Sequence, residues 1–250
     1  MRKRIIPCLD VRDGRVVKGK KFQNVQDVAN PIDLAKQYEN DQADCLFLLD
    51  IGGQNRTDFL QVVKDIASQT TFPLYVGGGI RSIEDIGEVI NSGAKKVSIT
   101  SAAIDQPSFL KEAVDIFGGE RIILSIDAKQ ITPHTWHAFT QGGNQDAGLD
   151  AIEWSKQGAA FGVSEILLNS IDADGIKKGY DLSLNKAVSS AVNIPVIASG
   201  GAGELHHFRD VLNEGKASAA LAASVFHYNE IQITDLKEYL LNFDIAVEEI

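Results

Sequence analysis

The chain has 250 residues, of which 44% are hydrophobic, and its 24 Lys and Arg residues against 34 Asp and Glu residues give a formal net charge of −10. This length and composition predict an ordinary globular chain with a sizeable core and argue against disorder. The acidic balance argues against a dedicated nucleic-acid or membrane-surface protein, because phosphate backbones and anionic lipids attract cationic surfaces.

The two cysteines and the N-terminus bear on compartment and on metal binding. Cys8 and Cys45 each lie inside an apolar run and form no spacing typical of a zinc site, so we expect buried thiols in a reducing compartment and no metal. The apolar stretch near the N-terminus is too short for a secretory signal, because it reaches Asp10 within a few residues. No uncharged apolar run approaches the roughly 18 residues of a membrane span. The sequence therefore predicts a cytoplasmic protein.

Short apolar runs rich in β-formers alternate along the chain with amphipathic stretches, which is the pattern of βα units around a parallel sheet. The predicted strands are Arg4–Val11, Cys45–Ile51, Pro73–Gly79, Lys96–Ser101, Ile122–Lys129, Glu165–Ile171, Pro195–Gly201 and Ala219–Phe226. The predicted helices are Pro31–Asn40, Thr57–Ser68, Ser82–Asn91, Pro107–Phe117, Leu149–Gln157, Leu182–Ala191, Leu205–Glu214 and Thr234–Asn242.

Eight βα units in a chain of this length predict an α/β fold of the TIM-barrel type, a (β/α)8 barrel formed as a single domain over residues 1–250. A doubly wound open sheet usually has fewer strands and a different glycine fingerprint. Two connections are long enough to carry function. They are Arg12–Asn30 after the first strand and Gln130–Gly148 after the fifth, and we expect the second to form a small hairpin.

An internal repeat divides the predicted barrel into two half-barrels of four units, at about 1–120 and 121–250. Gly77 and Gly200 open similar glycine-rich segments 123 residues apart, and Asp10 and Asp127 end similar strands 117 residues apart. The offset therefore changes only through small insertions. We expect a two-fold related pair of half-barrels.

Asp10 and Asp127 are the candidate catalytic residues, because each ends an apolar strand. The carboxyl ends of parallel barrel strands form the face where active sites assemble, and the first and fifth strands lie on opposite sides of it. Two carboxylates facing each other there can act as general base and general acid if their environments separate their pKa values. The alternative is that each merely caps a strand end or turn, which their equivalence under the repeat disfavours.

Glycine segments after the third and seventh strands, with the residues that end the fourth and eighth strands, predict two phosphate sites. Glycine lets backbone N–H groups approach an anion, a hydroxyl adds a donor, and a following helix N-terminus adds a favourable dipole. Tight turns explain a single cluster equally well, but two equivalent clusters indicate one long ligand with a phosphate at each end. The residues are Val76–Ile80, Thr100 and Ser101 on one rim and Ser199–Gly203, Ala223 and Ser224 on the other.

Other polar residues allow two interpretations. Asp172–Gly175 reads as an Asx-type turn, although its place after the sixth strand favours a functional loop. Lys18 on the first long connection either closes over a phosphate or is solvated. His206 and His207 lack metal-ligand partners at suitable spacing and are expected at the surface or in a cap. His227 follows the last strand and is a candidate contact of the site.

Several segments, spread over essentially the whole chain, are similar to the sequence motifs of one known family. They are Arg4–Val11, Asp13–Gly19, Val76–Ile80, Ser125–Lys129, Ser170–Gly175, Ala198–Gly203 and Leu221–His227. Together they resemble the cyclase subunits of imidazole glycerol phosphate synthase, the HisF family. The sister isomerase of the same pathway shares the half-barrel plan but lacks these motifs in the first and last strands.

The resemblance implies a histidine-biosynthesis enzyme that uses ammonia to convert a ribulosyl aminoimidazole-carboxamide nucleotide with two phosphates into imidazole glycerol phosphate and an aminoimidazole-carboxamide ribotide. Asp10 and Asp127 become its acid/base pair. Ammonia would arrive along the barrel axis from a glutaminase subunit docked on the N-terminal face, in a heterodimer, and no metal or organic cofactor is implied. The substrate and phosphate residues carried over are Lys18, Gly79, Thr100, Ser101, Asn169, Asp174, Gly175, Ser199, Gly200, Gly201, Ala223 and Ser224. The ammonia gate carried over is Arg4, Cys45, Lys96 and Glu165.

Several positions depart from the family pattern. On the substrate side, Gly52–Asn55 follows the second strand where small hydroxyl residues are usual, Thr100 replaces Asn, and Asn169 replaces Thr. On the gate side, Cys45 replaces Glu.

The expected interface departs too, since Lys95 replaces an Asp and Glu120 replaces a Gln. A reversed charge at an interface can redirect partner choice, so two other functions stay open. One is a paralogue that supplies ammonia for an amidino group on a surface-polysaccharide sugar. The other is a non-catalytic, ammonia-conducting or regulatory scaffold, for which Asp10→Asn would cause no loss of function.

Overall fold

The computed structural model describes residues 2–20, 23–52 and 56–247, and within the strands at 18–20 and 23–29 it describes the backbone alone. The strands are β1 (Arg4–Arg12), β2 (Arg15–Lys20), β3 (Gln23–Ala29), β4 (Leu46–Asp50), β5 (Leu74–Gly77), β6 (Lys96–Ile99), β7 (Ile122–Thr132), β8 (Thr135–Thr140), β9 (Gln145–Asp150), β10 (Glu165–Ser170), β11 (Val196–Ser199) and β12 (Ala219–Ala222). The helices are α1 (Pro31–Asn40), α2 (Arg56–Gln69), α3 (Ile83–Asn91), α4 (Ser101–Asp105), α5 (Pro107–Phe117), α6 (Ala151–Phe161), α7 (Leu182–Ala191), α8 (Leu205–Asn213), α9 (Ser224–His227) and α10 (Ile233–Leu241), with a 3-10 turn at Gly119–Arg121.

Eight parallel strands close into a barrel, in the order β1, β4, β5, β6, β7, β10, β11 and β12, with β12 pairing back onto β1. A helix follows each barrel strand before the next one begins. This architecture confirms the predicted (β/α)8 barrel. Among the described residues, no helix is long and apolar enough to cross a membrane.

Local sequence signals explain where several helices begin. The Asn30 side chain accepts from the Ile32 N–H, and Pro31 opens α1 with a backbone angle suited to the first helical turn. Ser82 and Asp85 form a reciprocal capping box at the start of α3. These caps fix helix positions around the sheet and so fix the loops that reach the carboxyl face.

The core has two parts. The larger part lies between the barrel and its helices and contains the strand side chains that point outward. The smaller part fills the barrel itself and is also largely apolar. Its buried members are Ile6, Cys8, Cys45, Phe47, Tyr75, Ile123, Leu167, Ile197, Ala219 and Leu221. Both cysteines are buried free thiols, as expected.

Several predicted boundaries were wrong. The fourth barrel strand ends at Ile99 rather than Ser101, because Ser101 already begins α4. The last barrel strand ends at Ala222 rather than Phe226, because Ser224–His227 turns into α9. Val225 and Phe226 are buried in this helix, as they would be in a strand. A short apolar run therefore does not distinguish a buried helix from a buried strand. The connection Arg12–Asn30 contains the paired strands β2 and β3, and α6 begins at Ala151 because Leu149 still belongs to β9. The predicted hairpin at Gln130–Gly148 is confirmed as β7, β8 and β9.

Strand register refines the internal repeat. Gly78 and Gly79 have positive φ angles of 86° and 66°, and the residues that match them are Gly200 and Gly201, at 87° and 111°. The glycine segments are therefore offset by one residue less than the sequence comparison indicated. The reason is that Ser199, and not Gly200, continues the strand in the place of Gly77.

Candidate active site

A cavity of about 1070 Å³ opens at the carboxyl ends of the barrel strands. It brings together nearly all of the predicted substrate-side residues, which come from seven of the eight barrel strands and the loops that follow them. The predicted site residues on its wall are Asp10, Gly79, Thr100, Ser101, Asp127, Asn169, Asp174, Gly175, Ser199, Gly200, Gly201, Ala223 and Ser224.

The two candidate acids lie in this cavity on strands β1 and β7, which are separated by three other strands on either side. Asp10 is 8% exposed and pairs in register with Leu49 of β4. Asp127 pairs in register with Asn169 of β10. The repeat thus sets the same carboxylate beside an apolar residue in one half and beside an amide in the other.

Asp127 has a polar support that the sequence did not reveal. Asn169 Nδ2 donates to Asp127 Oδ1 at 3.0 Å, and Ser199 Oγ donates to Asn169 Oδ1 at 3.2 Å. Burial raises the pKa of the Asp127 carboxyl, the Asn169 hydrogen bond opposes the rise, and the nearby Asp174 charge adds to it. Burial dominates, so Asp127 is a group able to hold a proton at higher pH than an ordinary aspartate. Asn169 and Ser199 therefore act on Asp127 as well as lining the wall.

The glycine rims need their glycines for steric reasons. A Cβ on Gly78 would lie 2.1 Å from the Asp50 carbonyl oxygen, and one on Gly201 would lie 2.1 Å from the Gly179 carbonyl oxygen. Gly179 N–H in turn donates to the Gly201 carbonyl at 2.8 Å, which ties this rim to the loop after β10. Both rims therefore place backbone against the cavity where a side chain would not fit.

Short helices continue both rims. Ser101 begins α4 and Ser224 begins α9, so the serine hydroxyls and the first-turn N–H groups lie at the cavity wall. The two serines occupy equivalent places in the two half-barrels, as the sequence comparison indicated. The arrangement offers hydrogen-bond donors at two places on the rim.

The predicted gate residues lie at the other end of the barrel. Glu165 Oε2 accepts from Arg4 Nη2 at 2.6 Å, and Glu165 Oε1 forms an ion pair with Lys96 Nζ. Cys45 is buried beside these charges, and burial raises the pKa of its thiol. All four residues are thus brought together, but away from the cavity that contains the aspartates.

Some sequence candidates do not reach the cavity. His227 lies in α9, and its Nδ1 is 2.5 Å from the Tyr38 hydroxyl in the interior, so it does not line the site. His207 accepts from the Gly203 and Glu204 N–H groups as a cap, as expected. The side chain of Lys18 and most of the Gly52–Asn55 segment lie outside the described part of the chain.

Other residues were missed by the sequence analysis. Arg81 and Lys177 line the cavity, and Lys177 Nζ lies 2.6 Å from both carboxylate oxygens of Glu230. Tyr75 joins the gate residues through Arg4. Arg81 follows a glycine segment directly, and that position was the available signal for it. Within the described residues, no group of three or more His, Cys, Asp or Glu side chains is arranged to hold a metal ion.

Comparison with known proteins gives a family for this site. The profile of the family described as "Histidine biosynthesis protein" matches residues 4–232. The chain is 54% identical over 247 residues to "Imidazole glycerol phosphate synthase subunit HisF" of Oceanobacillus iheyensis, covering 98% of this chain and 97% of that protein. It is 51% identical over 249 residues to the protein of the same name from Endomicrobium trichonymphae, covering 99% of this chain and 95% of that one. The chain therefore belongs to the histidine biosynthesis protein family, with HisF subunits as full-length relatives.

Proposed function

We propose that this protein is the cyclase subunit of an imidazole glycerol phosphate synthase. It uses ammonia to convert the ribulosyl aminoimidazole-carboxamide nucleotide into imidazole glycerol phosphate and an aminoimidazole-carboxamide ribotide. The observation that carries the proposal is the placement of Asp10 and Asp127 in one cavity between two glycine rims. Membership of the family and the names of two full-length relatives support the same activity.

The chemistry needs groups that move protons, because ammonia must condense with a carbonyl and a C–N bond must later break as the imidazole ring closes. One aspartate assists the condensation and the other assists cleavage and closure. Asp127 suits proton donation, since burial raises its pKa while Asn169 keeps its carboxylate oriented. Asp10, on the opposite side of the barrel mouth, is the complementary base.

The substrate's two phosphates occupy the two rims. One binds near Gly79, Thr100 and Ser101, and the other near Gly201 and Ser224. Backbone N–H groups and hydroxyls there donate to phosphate oxygens. A molecule held at both ends stretches across the cavity and presents its middle to the aspartates.

Ammonia comes from a partner glutaminase on the N-terminal face, as the word "subunit" in the relatives' names supports. It passes the gate residues and then the apolar interior, which contains Ile6, Phe47 and Leu167. An apolar passage favours neutral ammonia over ammonium, because a bare cation is costly to bury. The fit of this end of the barrel to one particular partner depends on Cys45, Lys95 and Glu120.

The test is a steady-state assay of the purified chain with the ribulosyl nucleotide and an ammonium salt at mildly alkaline pH. We expect turnover by the parent and a loss of about a hundredfold or more in Asp10→Asn and in Asp127→Asn, as for removal of a general acid or base. Asp105→Asn is the matched control, because it removes another carboxylate from the cavity wall without an acid/base role.

The alternatives predict different results. No turnover by a folded parent that binds phosphate would overturn the proposal and favour the sugar-modifying paralogue. Turnover that survives both aspartate substitutions would remove the acid/base roles assigned to them.

A further inference from the structure

The N-terminal end of the barrel is closed by a small group of side chains, which we call the floor cluster: Arg4, Tyr75, Lys96 and Glu165, with Cys45 beside them. Arg4 donates to Glu165 through both terminal nitrogens and also donates from Nη1 to the Tyr75 hydroxyl at 3.1 Å. The Glu165 side chain is only 4% exposed, whereas Arg4 and Lys96 are 18% and 15% exposed. The cations therefore form the solvent side of the cluster.

These contacts cross the barrel interior. Arg4 lies on β1, Tyr75 on β5 and Glu165 on β10, and the closed strand order places β5 two strands from β1 on one side and β10 three strands from it on the other. A side chain that reaches both must extend across the middle of the barrel. The Arg4 guanidinium thus lies in the barrel interior, where Nη1 donates to both Tyr75 and Glu165 and Nη2 donates to Glu165 alone.

Tyr75 is itself rigidly placed. It is 6% exposed, packs edge-to-face on Phe47 with ring centroids 6.0 Å apart, and lies under Lys96 Nζ at 5.4 Å from its ring centre. Burial raises the pKa of its hydroxyl, which therefore stays neutral and accepts from Arg4. Few other orientations of this ring fit the packed interior.

Charge in the floor cluster is unbalanced, which gives the tyrosine a specific task. Cys8 pairs in register with Phe47 in one half-barrel and Ser125 with Leu167 in the other, so Cys45 and Glu165, two residues earlier, hold equivalent places. The carboxylate of the second half has a neutral thiol as its counterpart in the first. Two cations then share Glu165, and the Tyr75 hydroxyl supplies an acceptor to Arg4 on the side of the barrel where Cys45 offers no carboxylate.

We propose that Tyr75 is a positioning residue that latches Arg4 across the barrel floor and so sets how often the floor opens. This role of Tyr75 does not depend on which molecule passes the floor cluster. That the passing molecule is ammonia rests on the proposed function.

The test uses Cys45 as a natural reporter of opening. It is 1% exposed and lies beside the floor cluster, so we expect a small neutral methanethiosulfonate to reach it when the floor opens, and its labelling rate then follows the opening equilibrium. The rate is measured on the intact chain by mass spectrometry of the Cys45 peptide. Tyr75→Phe keeps the ring and removes only the hydroxyl, and we expect labelling to rise about tenfold, as for loss of one hydrogen bond to a charged group. Glu165→Gln weakens the hydrogen bonds that Arg4 makes to the carboxylate, and it should raise the Cys45 labelling rate further.

Two controls separate a latch from general loosening. Cys8 lines the cavity on the opposite side of the interior, and its labelling rate should not change in Tyr75→Phe. Tyr38→Phe removes another buried hydroxyl, one bonded to His227, and should leave Cys45 labelling within twofold of the parent. Urea unfolding of each variant reports global stability.

An unchanged Cys45 rate in Tyr75→Phe would overturn the proposal, even if Glu165→Gln alone raised it. Equal increases at Cys8, or in Tyr38→Phe, would overturn it as well. Labelling needs no substrate, so absence of turnover would count against the proposed function and leave the latch standing, while a failed labelling test would leave turnover unaffected.

Discussion

Asn169 donates to Asp127 at 3.0 Å from the neighbouring strand, and it is itself fixed by Ser199 at 3.2 Å. The amide favours the ionised carboxylate and so opposes the rise in pKa that burial causes. In Asn169→Ala the pKa of Asp127 should therefore rise further, and the limb of the pH–rate profile that reports its ionisation should move to higher pH. The measurement is ammonium-dependent turnover across pH. Ser199→Ala, which disturbs only the orientation of Asn169, should shift the limb less, and superimposable profiles for Asn169→Ala and the parent would contradict this account.

Asp127 should also cost stability at neutral pH. Its folded-state pKa is raised above the unfolded value, so between the two the unfolded chain has lost the proton while the folded chain keeps it, and stability falls as pH rises through that interval. We expect Asp127→Asn to be more stable than the parent at neutral pH in urea titrations. The difference should vanish near and below the ordinary aspartate pKa. Asp115→Asn, at an exposed carboxylate, serves as control, and a pH-independent difference for Asp127→Asn would refute the explanation.

Arg81 should contribute to substrate affinity. Among the described residues the cavity wall has two cations, Arg81 and Lys177. Lys177 already pairs with Glu230, whereas the described residues give Arg81 no ion pair. The carboxylates on the wall are Asp10, Asp50, Asp105, Asp127 and Asp174. A ligand with two phosphates needs a counter-charge there.

In Arg81→Ala we accordingly expect KM for the nucleotide to rise about tenfold or more, the usual size of one charge-assisted hydrogen bond, with little change in kcat. The measurement is steady-state kinetics at several salt concentrations. Lys111→Ala, on the outer helix α5, is the control for a simple loss of positive charge. An unaltered KM would show that the backbone rims suffice.

A buried ion pair should stabilise the N-terminal end of the barrel. Lys237 of α10 is 1% exposed and donates to Asp44 at 2.7 Å, and Asp44 also accepts from the Ile5 N–H at 2.6 Å. Lys237→Met leaves the carboxylate buried without its cation and should lower the free energy of unfolding by about 3 kcal/mol or more. Urea unfolding gives the value. Combining it with Asp44→Asn should recover part of the loss, and a double variant no better than the single one would argue that the charge is not the cause.

The sequence predicted those features that depend on local pattern. Eight apolar runs with helices between them led to the barrel, and the positions of Asp10 and Asp127 at the ends of the apolar runs placed them in the cavity, although β1 and β7 themselves continue to Arg12 and Thr132. The hydrophobic pattern gave the wrong secondary structure where a strand and a helix would be equally buried. Val225 and Phe226, predicted in a strand, are helical.

It failed also where a contact joins distant segments. Arg4 and Tyr75 are separated by 71 residues and meet only because the barrel closes. Asn169 stood out as a departure from the family pattern, but its hydrogen bond to Asp127 depends on the register of β7 and β10. No periodicity in one strand encodes the neighbour across it.

The unequal neighbours of the two aspartates, Leu49 beside Asp10 and Asn169 beside Asp127, limit what a symmetric ancestor or a symmetric redesign could do. A barrel assembled from two copies of either half would give both acids the same surroundings and hence the same affinity for a proton. Such a homodimer could bind a two-phosphate ligand in either direction, yet it would have no fixed donor and acceptor. The different residues at positions 49 and 169 are thus one source of the unequal surroundings of the two acids, beside burial and Asp174, and they are a natural place to follow how a duplicated fold became directional.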